Sequence, residues 1–496
     1  MEADTIIVGA GLAGLSIAIK IAEKNPYQRV IILCKNKLDV SGTYEAQGGI
    51  AVALHPADST ANHANDTLKA GKYLNQLEVV NHVVENAAQK MNELINWGMK
   101  FDIDSKGNYS LGLEGGHSMN RIVHHEDSTG KEIHETLVKK ALSLENIVLF
   151  EHFFATDLQV EINHKGQTIC KGITCLIPNV EDSITLSANF IVLATGGVGQ
   201  VFSSTTNPVV CTGDGIAMAL RAGVKIEDMN YIQFHPTALD FPNNPTFLIS
   251  EAVRGFGAYV VNELGDRFLF DWDERGELAT RDIVSLGIAT EQLKNKRKVY
   301  LDCRHLDSTS FKSKFPKIYT KCKEVGYDPS KQLLPIAPAA HYLCGGIATN
   351  IYGETNIENL YAAGECAYTG LHGSNRLASN SLLEALVFSD QICESISSKM
   401  EKTGRPSNFD FFWIKPSSLA DTSENKFIRE LKNLMTSKVG VIKSKNSVLD
   451  AQQELDNLFL SFRNLDKNSL KPIEWHKTNN LFLVAQLIIE QTLKTF

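Results

Sequence analysis

The stretch "TIIVGAGLAGLSIAIKIAEK", Thr5–Lys24, decides the fold. It starts with a short β-branched strand, Thr5–Val8, and ends in Leu15–Lys24, where apolar residues recur at helical spacing. Between them, Gly9-Ala10-Gly11-Leu12-Ala13-Gly14 matches the pattern G-x-G-x-x-G. A strand, a glycine turn and a helix in this order are typical of a dinucleotide-binding unit.

Each glycine of this turn has a separate physical task. Gly9 permits the tight turn, Gly11 lets the backbone approach a pyrophosphate, and Gly14 lets helix and strand pack closely. The start of the helix offers N–H groups and a positive dipole end to the phosphates. The sequence therefore predicts cofactor contacts at Gly9, Ala10, Gly11, Leu12, Ala13 and Gly14.

The second predicted strand is "RVIILCK", Arg29–Lys35. A standard dinucleotide fold places Asp or Glu at the end of this strand, where the carboxylate holds the ribose hydroxyls. Here the strand ends in Cys34-Lys35. This departure disfavours plain NAD binding and predicts that Lys35 contacts a phosphate or the adenosine instead.

Composition bounds the class of protein. The chain has 496 residues, of which 43% are hydrophobic, enough for more than one domain. Its net charge is −8, whereas nucleic-acid binders are more often basic. The nine cysteines form no CxxC pair, so we expect no metal site and reduced thiols.

The termini and the apolar runs give a prediction of location. The first residues lead straight into a strand without a basic segment and an apolar segment, so we expect no signal peptide. No apolar run reaches the roughly 18 residues that a membrane helix needs. We therefore predict a cytoplasmic protein that binds neither membrane nor nucleic acid.

Four later segments resemble further parts of one cofactor site. They are "SGTYEAQGGIA" (Ser41–Ala51), "IVLATGG" (Ile191–Gly197), "CTGDGIAMALRAG" (Cys211–Gly223) and "NLYAAGECAYTGLHGSNRLASNSLLEALVFS" (Asn359–Ser389). Each alone could be an ordinary strand end or helix cap. Together with the first turn they favour FAD, which needs more contacts than NAD. The predicted contacts are Gly42, Thr43, Tyr44, Glu45, Ala46, Gln47, Gly48, Gly49, Asp214, Glu365 for the ribityl chain, and the backbone of Ser381 and Leu382 near flavin N1.

These motifs, with "QFHPTAL", "ELATRDIV" and "AAHYLCGGI", resemble the fumarate reductase/succinate dehydrogenase flavoprotein family over nearly the whole chain. The resemblance implies an α/β fold: a Rossmann-like FAD-binding domain, an inserted α+β capping domain and a C-terminal helical bundle. We predict the FAD-binding domain at 1–224 and 343–402, the capping domain at 225–342, a linker at 403–423 and the helical domain at 424–496.

The resemblance also implies a pocket for a four-carbon dicarboxylate. A guanidinium matches a carboxylate with two hydrogen bonds, and histidine supplies further donors. Taken singly, such residues are as often ordinary surface or core residues. The family pattern assigns substrate contacts to His235, Ser250, Glu251, His341 and Arg376 and a catalytic role to Arg281. Glu251 could instead form a structural ion pair with Arg254.

The stretch "SLGLEGGHSMNRIVHHEDSTGKEIH", Ser110–His134, separates two kinds of substrate. Succinate dehydrogenases and fumarate reductases carry an aromatic residue before the Gly-Gly pair, where this chain has Glu114. A carboxylate there would repel succinate but can pair with the α-ammonium group of aspartate, so we predict that Glu114 selects L-aspartate and, with Arg281, is a catalytic residue. We expect His124, His125 and His134 to lie in a loop and on a helix surface.

The residue at position 42 indicates how the cofactor is held. Membrane-complex members of the family carry a histidine, bonded covalently to FAD, where this chain has Gly42 in Ser41-Gly42-Thr43. FAD is therefore expected to be non-covalent. A soluble fumarate reductase or succinate dehydrogenase-type flavoprotein is the alternative enzyme, disfavoured by Glu114. An electron-transfer subunit of a membrane complex is disfavoured by Gly42.

The resemblance thus implies oxidation of L-aspartate to iminoaspartate, with O₂ (giving H₂O₂) or fumarate as the electron acceptor. Iminoaspartate would pass to quinolinate synthase, which makes this the first step of de novo NAD biosynthesis.

Overall fold

The computed structural model describes residues 2–177, 183–241, 246–295, 297–400, 424–466 and 469–496. The predicted linker, 403–423, lies outside them. The strands are β1 Glu2–Val8, β2 Val30–Leu33, β3 Ile50–Ala51, β4 Leu111–Gly112, β5 Ile122–Val123, β6 Ile147–Phe150, β7 Phe154–Ile162, β8 Thr168–Leu176, β9 Ile184–Leu193, β10 Ile226–Glu227, β11 Ile232–Leu239, β12 Phe247–Leu248, β13 Tyr259–Asn262, β14 Val299–Asp302, β15 Leu334–Leu343, β16 Gly346–Ala348, β17 Leu360–Ala362 and β18 Ala367–Tyr368.

The helices lie between groups of these strands and after the last of them. They are α1 Leu12–Lys24, α2 Gly42–Glu45, α3 Thr60–Ala70, α4 Leu77–Glu85, α5 Ala87–Asn96, α6 Thr129–Leu142, α7 Asp214–Arg221, α8 Glu251–Gly255, α9 Arg281–Asn295, α10 Ser308–Lys314, α11 Pro316–Glu324, α12 Asn380–Lys399, α13 Lys426–Lys438, α14 Lys445–Arg463 and α15 Pro472–Leu493. Across the described ranges, none of them combines the length and the apolarity needed to cross a bilayer.

The main sheet has the order β6-β2-β1-β9-β8-β7, and β17 also pairs with β9. Strands β6, β2, β1, β9 and β17 run parallel, so their carboxyl ends meet at one edge. Strands β7 and β8 are antiparallel additions. The central parallel strands end in buried apolar runs, Ile6–Val8, Val30–Leu33 and Ile191–Leu193, because both faces are covered there, as expected for a doubly wound sheet. Ligands of such folds bind at the edge formed by the carboxyl ends.

The glycine turn between β1 and α1 is tighter than the sequence pattern alone predicts. Helix α1 begins at Leu12, one turn before the predicted start at Leu15. Gly9 has φ +115°, and a Cβ at this position would lie 2.0 Å from the carbonyl oxygen of Ala194. A Cβ at Gly14 would lie 2.0 Å from the carbonyl oxygen of Gly9. The turn therefore excludes side chains at both places.

Residues 232–343 build a second sheet with its own core. It has the order β12-β11-β15-β14-β13, and its pairs are antiparallel. Its apolar face packs against α9 and α11 through a separate cluster that includes Val260, Leu301, Ile288 and Ile318. We call residues 232–343 the inserted segment, and the remaining described residues up to 400 the FAD part. Strand β10 pairs with β16 just outside the inserted segment, so the chain leaves and re-enters the FAD part at neighbouring points.

The C-terminal helices α13, α14 and α15 pack on the FAD part. Leu431, Phe462 and Ile488 belong to the same buried cluster as Ile191 of the main sheet and Ile216 of α7. Aromatic rings of Phe459, Phe462 and Phe482 stack where α14 meets α15. Burial of this shared face, rather than helix propensity alone, stabilises the three helices.

Candidate active site

A cavity of about 760 Å³ lies where the carboxyl ends of the parallel strands face the inserted segment. Gly9, Lys35, Thr195 and Glu365 follow the ends of β1, β2, β9 and β17 and line it. The residues proposed for the cofactor and those proposed for the substrate share this one space. Of the predicted cofactor contacts, Gly14 and Tyr44 do not line it: Gly14 packs beneath the turn, and the Tyr44 ring meets His134 edge-on at 5.7 Å.

The loop after β2 closes the glycine turn. Ser41 caps α2 by accepting a hydrogen bond from the Tyr44 N–H. The hydroxyl of Thr43 accepts the N–H of Leu12 at 2.9 Å, which places α2 beside the first turn of α1. Gly42 is exposed at the cavity wall, and a Cβ there would meet nothing within 4 Å. The site therefore has room for a side chain at Gly42 but carries none.

Lys35 is held by a buried carboxylate. Its ammonium forms an ion pair with Asp214 at the start of α7, and the Thr212 hydroxyl donates to the same carboxylate at 2.8 Å. Burial opposes ionisation of Asp214, but Lys35, together with hydrogen bonds from Asn480 and Thr212, keeps the pKa below its ordinary value. Asn480 of α15 donates to the other oxygen of Asp214 at 2.9 Å. Sequence reasoning missed this contribution of the C-terminal helices to the site.

Glu365 is placed to accept or donate hydrogen bonds to hydroxyl groups. Its Oε1 accepts the N–H of Leu343 at 3.0 Å, and burial raises its pKa to about 7. A Cβ at Gly197 would lie 2.1 Å from Oε1, so the second glycine of "ATGG" makes room for this carboxyl. A buried carboxyl with one backbone donor suits the polyol chain predicted for it.

The N-terminus of α12 points its first turn at the cavity. Ser381 and Leu382 line the wall, and the N-cap residue is Ser379, whose φ of +61° is uncommon for a residue other than glycine. The positive end of this 20-residue helix favours negative charge beside it. The contact of flavin N1 with Ser381 and Leu382 stays a prediction.

Two arginines form the cationic wall. Arg281, the first residue of α9, and Arg376, from the FAD part, both donate to the side-chain oxygen of Gln233, at 3.0 and 3.3 Å. Burial and the charge of Arg281 lower the pKa of Arg376 to about 10. Two guanidiniums brought together in a buried space favour a dianion between them. Gln233 was missed, although it begins the quoted motif "QFHPTAL".

The guanidinium of Arg376 lies over the ring of Tyr342, and hydrogen bonds hold that ring in place. Its guanidinium carbon lies 4.1 Å from the ring centroid of Tyr342. The Tyr342 hydroxyl donates to Glu384 at 3.1 Å, and His372 contacts the same carboxylate oxygen at 3.0 Å. This buried network restricts the ring and hence the guanidinium above it.

Two neutral histidines complete the wall. His235 on β11 and His341 on β15 have ring centroids 5.0 Å apart, because β11 and β15 pair directly. Burial and Arg281 hold the pKa of each well below its ordinary value. The Nδ1 of His235 accepts the N–H of Thr237 at 3.3 Å, which assigns the proton to Nε2. That Nε2 is buried and finds no partner among the described residues, so it is a donor ready for a ligand.

Glu114 is a carboxylate within this cationic wall. It is 3% exposed, and its Oε2 accepts the hydroxyl of Ser379 at 2.6 Å. Burial and then the charge of Glu251 raise its pKa, while Arg281 opposes this shift. Sequence reasoning missed Ser379. A pairing between a loop residue and a helix cap 265 positions away leaves no local pattern.

Glu251 is engaged by two arginines. Its Oε2 accepts Nε of Arg281 at 2.7 Å, and its Oε1 accepts Arg254. Burial opposes its ionisation, but Arg281 and Arg254 hold its pKa below the ordinary value. This geometry favours orientation of Arg281 over direct contact with substrate. Ser250 lines the cavity and caps α8 through the N–H of Ala252 at 3.3 Å.

The histidines of Ser110–His134 make contacts within the protein. His124 and His125 contact Asp102 at 3.1 and 3.6 Å. Within the described part of the chain, no group of three His, Cys, Asp or Glu side chains could hold a metal ion. The prediction that His134 lies on a helix surface is wrong. It is 2% exposed and contacts the carbonyl oxygen of Ala10 at 3.2 Å, so it supports the glycine turn.

Comparisons with known proteins agree with this architecture. A family model described as an FAD binding domain matches residues 4–382. The L-aspartate oxidase of Acinetobacter baylyi is 38% identical, with 98% of this chain and 90% of that protein covered. The L-aspartate oxidase of Yersinia pestis is 39% identical, with 98% and 92% covered. The chain belongs to the L-aspartate oxidase family.

Solved structures extend the family to its relatives. An E. coli quinol fumarate reductase chain is 30% identical with a TM-score of 0.88, covering 99% of this chain and 88% of that chain. The Sdh1 complex of Mycobacterium smegmatis gives 29% identity and a TM-score of 0.81, with 100% and 87% covered. The fold class predicted from the sequence is confirmed, and so is FAD as the cofactor. The glycine turn, the Glu365 carboxyl and the start of α12 fit its pyrophosphate, ribityl chain and flavin ring.

The turn glycine gives a direct test of FAD binding. We expect Gly9→Ala to abolish FAD retention, because the new Cβ would collide with the Ala194 carbonyl in a backbone conformation that alanine avoids. The matched control is Gly112→Ala, where the nearest atoms lie 3.7 Å from the new Cβ. The flavin-to-protein absorbance ratio of the purified variants measures the effect. Equal FAD content in both variants would contradict the assignment.

Proposed function

We propose that the protein oxidises L-aspartate to iminoaspartate with non-covalently held FAD. One observation carries the proposal: a buried carboxylate, Glu114, lines the same cavity as the buried guanidiniums of Arg281 and Arg376. A plain dicarboxylate would gain nothing from Glu114. A ligand with two carboxylates and one ammonium group meets an opposite charge at each position.

The cationic wall binds the two carboxylates. Arg376 and Arg281 offer guanidinium forks, while neutral His235 and His341 donate without adding net charge. The Ser250 hydroxyl offers a further donor. Because the guanidiniums are fixed by Gln233, Glu251 and the Tyr342 ring, little side-chain entropy remains to be lost when the substrate binds.

Glu114 orients the amino group. Its carboxylate pairs with the α-ammonium, and its raised pKa also makes it a better proton acceptor than an exposed carboxylate. FAD, when bound, accepts the two electrons that leave with the Cα hydrogen as hydride. The substrate loses this hydride and one ammonium proton, which leaves a C=N bond in iminoaspartate.

The electron acceptor and the binding of FAD belong to the same proposal. Two electrons and two protons reduce O₂ to H₂O₂ or fumarate to succinate. Gly42 offers no nucleophile for a covalent flavin bond. The alternative, a fumarate reductase or succinate dehydrogenase-type flavoprotein, is favoured by the structural neighbours but places Glu114 against a plain dicarboxylate. We further propose a cytoplasmic enzyme whose product passes to quinolinate synthase in de novo NAD biosynthesis.

Anaerobic mixing with L-aspartate tests the activity. The flavin absorbance of the purified protein should bleach, and admission of O₂ should restore it with formation of H₂O₂. Succinate at the same concentration is the control and should bleach it far less. Failure of L-aspartate to bleach the flavin would refute the proposed function.

The raised pKa of Glu114 predicts a pH dependence with opposite signs for two ligands. Aspartate needs the ionised carboxylate, so its affinity should fall as the pH drops through the raised pKa. Succinate is repelled by that carboxylate, so protonation of Glu114 should strengthen its binding over the same range. Titration of the oxidised flavin spectrum with succinate, and KM for L-aspartate, measure the two trends. Parallel trends for both ligands would contradict the assigned role.

A further inference from the structure

A helix of the inserted segment begins without a cap of its own. Helix α11 starts at Pro316, and the apolar side chain of Phe315 stands at its N-cap position. The first four N–H groups of a helix need partners from outside the helix. Phe315 N–H bonds to the Phe311 carbonyl at 2.9 Å, and Pro316 has no N–H. The backbone N–H groups of Lys317 and Ile318 therefore still need acceptors.

A carboxylate from the FAD part takes both of them. Asp127 accepts the Lys317 N–H through Oδ1 at 3.2 Å and the Ile318 N–H through Oδ2 at 2.8 Å. Asp127 is 2% exposed and lies just before α6. Its negative charge therefore meets the positive end of α11 across the boundary between the two parts of the chain.

The stretch Ser110–His134 carries both Glu114, before β5, and Asp127, after β5. Its glycines fit closely against the inserted segment: the Gly116 N–H bonds to the Leu278 carbonyl at 3.2 Å, and a Cβ at Gly115 would lie 2.5 Å from Oε1 of Glu251. A second contact joins the two parts, since Asp282 of α9 accepts Asn375 at 3.1 Å and Lys72 at 2.9 Å. Asp282 follows Arg281 directly, so both contacts set the position of Arg281 relative to Glu114.

We infer that Asp127 is a positioning residue that holds the inserted segment closed over the cavity. Separation of the two parts would leave the Lys317 and Ile318 N–H groups without their acceptor and break a charge–dipole contact made in a buried place. Asp127 can cap α11 only while the FAD part and the inserted segment are in contact. Closure of the inserted segment and capping of α11 therefore occur together. The consequence for catalysis rests on the proposed function, because Arg281, His235 and Ser250 arrive with the inserted segment.

The first measurement is independent of any substrate. Amide hydrogen exchange of the FAD-loaded protein, without added ligand, should show faster exchange at Gly116 in Asp127→Ala, by about tenfold, as expected for the loss of one cap. The control is Asp307→Ala. Asp307 caps α10 through Ser310 at 2.8 Å, but both partners lie inside the inserted segment. Exchange at Gly116 should therefore stay unchanged in the control, although both variants lose a helix cap.

The second measurement concerns turnover of L-aspartate. Asp127→Ala should raise KM about tenfold with a much smaller change in kcat, since closure is a cost added to binding. Asp307→Ala should leave both constants near their original values. If Asp127→Ala does not fold, Asp127→Asn, which keeps one acceptor oxygen, should give the same changes at smaller size. Equal effects of the 127 and 307 variants on Gly116 exchange, or faster exchange confined to residues 317 and 318, would overturn the inference. Failure of L-aspartate turnover in the unaltered protein would refute only the proposed function.

Discussion

Replacing Glu114 with glutamine should raise KM for L-aspartate about a hundredfold, as expected when one partner of a buried charge pair is removed. The amide keeps the size of the side chain and an oxygen that can accept the Ser379 hydroxyl. It loses the charge that pairs with the α-ammonium group. Succinate should bind Glu114→Gln at least as tightly as the unaltered protein, because a repulsive charge has been removed. Steady-state kinetics and flavin spectral titration measure the two effects.

The control for this experiment lies in the same stretch, Ser110–His134. Glu126 is exposed and does not line the cavity, so Glu126→Gln removes one negative charge from this stretch without touching the cavity. It should leave KM for L-aspartate and the affinity for succinate unchanged. If Glu114→Gln weakened aspartate and succinate equally, the carboxylate would be a structural residue and the proposed selection of an amino dicarboxylate would fail.

Replacing Arg281 with methionine should lower kcat/KM for L-aspartate by about a thousandfold or more, as for loss of a buried electrostatic contact to the reacting ligand. Methionine keeps much of the volume and removes the fork that faces the carboxylate. It also removes one of the two arginines that pair with Glu251 and leaves Arg254, so a second negative charge would act on the substrate. Arg281→Lys should recover little, since a lysine cannot reproduce contacts to both Glu251 and Gln233.

The comparison variant for Arg281 is Arg304→Met in the same inserted segment. Arg304 is exposed and pairs with Asp302 at 2.9 Å. Such a surface pair contributes little to stability, so kinetics and FAD content should stay unchanged. Retained FAD in Arg281→Met would show that the loss concerns substrate. A kcat/KM within threefold of the unaltered enzyme would exclude Arg281 from the catalytic roles proposed for it.

The local pattern of the sequence was sufficient for the cofactor half of the site. The strand, the glycine turn and the helix at Thr5–Lys24 are adjacent in the chain, and their geometry follows from backbone sterics alone. The carboxyl Glu365 and the start of α12 were found because each follows a strand or turn with its own signature. The departure at Gly42 and the replacement at Glu114 could likewise be read directly, since both are single positions inside recognisable motifs.

Partners distant in sequence had to come from the folded chain. Gln233 between the two arginines, Ser379 on Glu114, Asn480 on Asp214 and Asp127 on α11 each join elements that the sequence separates. No periodicity encodes such pairs. His134 was misplaced for the same reason: its helix face is buried by the glycine turn, which lies 124 positions earlier in the chain.

The sequence by itself thus determined the fold class, the cofactor and the charges that a ligand must carry, because these depend on residue types within short motifs. Only the tertiary structure decided which side chains contact and orient the residues of the site. It showed that Glu251 forms ion pairs with two arginines and that Arg376 lies over the Tyr342 ring. It also showed that Glu114 is buried beside Ser379, the N-cap residue of α12. The physical reason is that orientation and pKa depend on distances and burial, and both arise when the inserted segment packs against the parallel sheet.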